Sequence, residues 1–201
     1  MSRTARALFM AGVLALTVGV AAPAQAGTAQ PVPIKGSEET TGSWVTEDPG
    51  CPDILDFGFG LTLHATTVGR ASHIGRYTTE GSWCLEYVST DSTDYPGVVA
   101  VTWAWTGIEV TKTAANGDAI EMVGVGDFTS TWYVDEESYD ETKPGWTVLA
   151  VESAGTLEIV GGTGRFTDAS GSVYATESSA TGPTATFRGE ISYDASNRAA
   201  R

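Results

Sequence analysis

From about Asp56 to Asp194, threonine, valine, tryptophan, tyrosine and phenylalanine alternate with small or polar residues, and glycine interrupts the runs every few positions. No window sustains an apolar period of 3.6 residues. Period-two runs bounded by turn residues describe half-buried strands, and a series of them describes a sandwich or a barrel. Strands are predicted at 57–67, 72–88, 98–113, 118–134, 146–160, 171–179 and 184–193, with loops at 91–97 and 135–145. Residues 27–54, with Pro31, Pro33 and Pro49, read as a loose N-terminal arm, residues 55–194 as the β-domain, and 195–201 as a flexible tail.

The sharpest local signal is Asn116-Gly117 between two β-rich runs. Asparagine and glycine tolerate positive φ, so the pair predicts a two-residue type I′ hairpin. That loop sets Lys112 opposite Glu121, Val110 opposite Val123, Ile108 opposite Val125, Trp105 opposite Phe128 and Val101 opposite Trp132. Glu109 then shares a face with Trp103, Trp105 and Phe128. A loop one residue longer would shift these pairs and exchange the faces.

The first 26 residues set the expected compartment. Arg3 and Arg6 precede an uncharged apolar run from Leu8 to Ala22, and Ala24-Gln25-Ala26 is a small-x-small cleavage signal. This order is that of a signal peptide at 1–26, whose apolar run is short for a membrane anchor and is followed at once by a cleavage site. The expected product is a secreted, extracellular chain of 175 residues, Gly27 to Arg201. Loss of two arginines takes its formal net charge from −14 to −16. Such a chain repels nucleic acid and anionic membrane surfaces. Cys51 and Cys84 are its two cysteines, and an even count in an exported chain predicts a disulfide.

One segment resembles a known group. Gly155-Thr156-Leu157-Glu158-Ile159-Val160 runs into Gly161-Gly162-Thr163-Gly164-Arg165-Phe166, with Ala169-Ser170-Gly171 following. Together with Ser72–Thr78 and Ala115–Asp118, it resembles the dirigent and allene oxide cyclase-like barrels, and in particular their secreted bacterial relatives of unassigned function. The resemblance covers about residues 55–193. It implies an all-β fold, a single antiparallel barrel of about eight strands, whose lumen is filled by side chains or by one small ligand. It also implies a homo-oligomer, a trimer in many relatives. No catalytic residue is carried over, because the matching segment is not where that group keeps its reactive side chains, and a shared fold does not transfer chemistry.

No cofactor is expected. Gly161, Gly162 and Gly164 are followed by Arg165-Phe166 rather than by the lysine and hydroxyl of a phosphate loop, so they read as a structural turn. His64 and His73 would approach each other across a hairpin at Val68-Gly69, but a zinc site needs three or four ligands, and no metal is expected. The acidic run Asp135–Glu141 lacks the spacing of a calcium loop and reads as a solvated turn. Six tryptophans are many for this length; aromatics fill cores and interfaces, and they also line pockets. The candidate ligand-binding set is Glu109, Trp103, Trp105, Phe128 and Arg188. The leading functional expectation is a non-catalytic extracellular protein or a binder of a small apolar ligand. A cofactor-free isomerase or cyclase working in the lumen, and an oligomeric interaction protein, are the alternatives.

Overall fold

A computed structural model describes residues 29–54, 59–140, 145–179 and 184–193. The expected signal peptide and tail lie outside these residues. The strands are β1 (Val32–Asp48), β2 (Gly60–Ala71), β3 (Gly75–Ser92), β4 (Val98–Ala114), β5 (Ala119–Gly124), β6 (Thr129–Asp135), β7 (Val148–Gly162), β8 (Ser170–Ser178) and β9 (Thr184–Ser192). A single 3-10 turn, Gly164–Phe166, follows β7. All pairings are antiparallel, and they form one sheet that returns on itself through β3 and β4. β5 and β6 pair with opposite halves of both β4 and β7, so the nine strands fill eight places in a ring. The expected all-β fold, a single antiparallel barrel of about eight strands, is that of the described residues, with nine strands closing unevenly in a ring of eight.

The N-terminal arm is a correction. Residues 32–48 form a 17-residue strand that closes the ring between β2 and β9. Its buried side carries Ile34, Glu38 and Thr40, too polar a set to show as a strand by apolar alternation. Pro31 and Pro33 sit at its start, where a missing N–H is tolerated.

The 115–117 hairpin is a second correction. Ala114 N–H donates to Asp118 O (2.8 Å), so the loop is Ala115-Asn116-Gly117, one residue longer than expected. Gly117 alone takes positive φ (+87°), the left-handed position of a three-residue hairpin. The register moves by one: Lys112 faces Ile120 and Val110 faces Met122. An extra residue between β5 and β6 cancels the slip, so Val101 still faces Trp132, and Trp105 N–H donates to Phe128 O (2.9 Å).

A third irregularity decides which side chains enter the barrel. Ser82 pairs with Glu109 but Cys84 pairs with Thr106, so β4 carries an extra residue against β3. Gly107, at φ +61°, takes up the bulge. Before it Val101, Trp103 and Trp105 are buried; after it Ile108, Lys112 and Ala114 are buried, and Glu109 is exposed. A bulge exchanges the faces of the strand beyond it.

The ends close differently. At the end where β1 and β8 begin, Phe166 of the 3-10 turn is fully buried and packs on Tyr193 (5.1 Å). Gly162 and Gly164 lie where a Cβ would strike Ala119 O and the Asp118 carboxylate, so this corner admits no side chain at either. Arg165 stacks over Phe166 (4.7 Å) and pairs with Asp118 (3.4 Å). At the opposite end Trp103, Trp132, Trp146, Tyr87 and Tyr139 form an aromatic plug. The Cys51–Cys84 disulfide ties the segment after β1 to β3.

Candidate functional site

β8 and β9 have nine residues each, whereas β1 has 17 and β7 has 15. β9 pairs with β1 only as far as Glu39, and β8 with β7 only back to Glu152. Beyond those points, among the described residues, no strand pairs with β1 or β7 on this side. A cavity of about 410 Å³ occupies the lumen and reaches this gap, where Ser43, Val45, Val148, Ser179 and Ala185 border it. Val45 and Val148 are exposed at the rim.

The inner wall is mostly apolar. Trp83 and Trp105 stack at 4.4 Å, and Trp105 stacks on Phe128 at 4.6 Å with planes only 8° apart. Leu63, Ile108, Val110, Leu157 and Ala175 complete it. Trp83 and Trp105 are 9% and 6% exposed, yet neither indole Nε1–H has an acceptor among the described residues. Neither nitrogen has surface open to the cavity, and a buried donor without a partner costs about 1–3 kcal/mol.

The lumen also holds charge. Lys112 is 2% exposed, donates to the Glu38 carboxylate at 2.6 Å, and lies 5.0 and 4.9 Å from the Tyr77 and Phe187 ring centres. Thr67 and Thr79 donate to the same Glu38 oxygen, each at 2.9 Å. Burial alone would raise the Glu38 carboxyl, but the Lys112 charge and these hydrogen bonds hold it below the ordinary carboxylate range. Burial pulls the Lys112 ammonium below its usual value against the attraction of Glu38. Burial, then Glu38, pushes the Tyr77 hydroxyl well up. Glu177 lines the same cavity. Burial raises its carboxyl, hydrogen bonds from Ser153 (3.3 Å) and Thr40 (3.4 Å) oppose this, and the Glu38 charge adds to the rise.

No family model, curated protein or solved structure matches the chain.

Of the sequence-derived candidates, Trp105 and Phe128 line the cavity. Trp103 lies deeper, 1% exposed, within the aromatic plug. Glu109 is corrected: the Gly107 bulge turns it to the outer surface, beside His64 and Ser82. Arg188 is exposed on β9, on the face opposite Phe187. The expected Lys112–Glu121 pair is replaced by Lys112–Glu38. The histidines do not meet. The β2–β3 turn falls at 72–74 rather than at Val68-Gly69; His64 stacks under Trp44 (5.2 Å), while His73 contacts Tyr193 (3.2 Å) and Pro33 O (3.1 Å). Gly161 ends β7 with Gly162, and Asn116 bonds Asp118 through its side chain (2.8 Å). Among the described residues no group of three or more His, Cys, Asp or Glu could hold a metal ion. No helix there is long and apolar enough to cross a membrane.

Sequence reasoning missed Glu38, Lys112, Glu177 and Trp83. Lys112 carried a usable signal: it is one of three lysines and falls on the aliphatic side of its predicted strand.

Proposed function

We propose that this is a secreted barrel that holds one small, largely apolar ligand in the lumen between β1 and β7. The observation that carries the reading is the cavity of about 410 Å³ walled by stacked Trp83, Trp105 and Phe128. Ligand sites are typically concave, mostly apolar, and fitted with a few oriented polar groups. Stacked Trp83, Trp105 and Phe128 suit a flat or ring-bearing molecule, and the wall gap rimmed by Val45 and Val148 provides an entrance. A disulfide accords with an oxidising, extracellular setting. The eight-place ring and the tight Gly161–Phe166 corner accord with a relative of the dirigent and allene oxide cyclase-like barrels, and an assembly of copies is part of that proposal.

Tryptophan fluorescence during titration with benzophenone and with diphenylmethane tests the reading. Both are largely apolar and carry two aromatic rings, and saturable 1:1 binding is expected of both. Ala175→Trp, which fills the lumen, and Val151→Trp, nearer its mouth, should each abolish it. Absence of saturable binding, or binding indifferent to both substitutions, would overturn the proposal.

A further inference from the structure

The outer surface of β1–β4 presents a second arrangement, which shares Trp44 with the border of the lumen cavity. Register places Trp44, His64, Ser82 and Glu109 directly across four successive strands. The next row on the same face is Thr66, Glu80 and Thr111. These side chains line a shallow groove of about 440 Å³. The Trp44 indole lies parallel to the His64 imidazole, 11° between planes, while half of its surface remains exposed. The imidazole is itself held by Thr46 Oγ1 at 3.1 Å from Nε2. Glu80, Ser82, Glu109 and Thr111 have no side-chain hydrogen-bond or ion-pair partner among the described residues.

We infer that this groove binds an oligosaccharide without acidic groups. An indole backed on one side and open on the other offers a flat, electron-rich face to the C–H side of a pyranose ring. Carboxylates are acceptors with two oxygens each and take strong, charge-assisted hydrogen bonds from neighbouring hydroxyls. Hydroxyls at Ser82 and Thr111 both donate and accept, as a sugar requires. Three inter-strand steps separate Trp44 from Glu109, about 14 Å, so the row serves a short chain of sugars rather than one. Two glutamates on an acidic protein exclude uronic acids by like-charge repulsion.

Calorimetry with cellohexaose, the hexamer of N-acetylglucosamine, and hexagalacturonate tests the inference. At least one neutral hexamer should bind saturably and the uronate should not. Trp44→Ala should weaken binding at least about tenfold, and Glu109→Gln by several-fold. Each change is at an exposed side chain, so the melting temperature should hold and report an intact fold. Ala175→Trp, which acts in the lumen, should leave sugar binding unchanged. Failure of both neutral hexamers to bind, equal binding of the uronate, or binding unaffected by Trp44→Ala would overturn the inference.

Discussion

Glu38 and Lys112 carry the costliest chemistry in the barrel. Two charges withdrawn from water repay their desolvation only when each keeps its partner. Glu38→Gln should therefore destabilise the protein by about 3–5 kcal/mol, because it strands the Lys112 ammonium. Adding Lys112→Met should restore much of the loss, and denaturant melts of the single and double variants check both statements. Gly107 makes a different demand. A Cβ there would meet nothing within 4 Å, so only its backbone angle resists substitution. Gly107→Ala should cost about 1–2 kcal/mol, and Gly107→Asn less, since asparagine tolerates the left-handed region. Equal stability of the alanine variant would count against the bulge, and with it against the outward position of Glu109. Gly107 was readable as a bulge, since glycine inside a strand often marks one. What local pattern could not reveal was the partner that makes Lys112 acceptable inside: Glu38 lies 74 residues away on a different strand.

At the scale of elements, most strands rich in β-branched and aromatic residues were legible to within a few residues, but the single strand expected at 118–134 is two, β5 and β6, broken at 125–128. β1 was not legible, because apolar alternation is the signal for a half-buried strand and its inward face carries a glutamate and a threonine. The hairpin shows how narrow the margin is. Asn-Gly fits both a two-residue loop and a three-residue loop with glycine last, and the choice moves every β5 partner by one. Cys51–Cys84 joins elements that the β1–β2 and β2–β3 pairings already bring together across 33 residues of separation. Replacing both cysteines by serine should lower stability by roughly 3–4 kcal/mol on the chain-entropy account, and a comparison of melts with and without reductant measures it.

Over the whole molecule, unequal strand lengths leave the eight-place ring open on one side among the described residues, and the cavity reaches that gap. The lumen's carboxyls give stability opposite dependences on pH. Glu38, held below the ordinary range, contributes stability that is present above its unfolded value and lost as pH falls through its folded one. Glu177, raised by burial, contributes in the other sense: its share is full below the unfolded value and lost as pH rises through the folded one. Glu177→Gln should thus gain on the parent protein as pH rises above the ordinary carboxylate range, which melting curves across pH 4–8 would register. The central claim is that Trp83 and Trp105 wall a ligand site in the lumen. Nitrogen-15 NMR of the tryptophan indoles during a benzophenone titration tests it most directly. The account predicts that the Trp83 and Trp105 Nε1–H resonances shift together and saturate at one ligand per chain; unmoved Trp83 and Trp105 resonances at saturating ketone would contradict it.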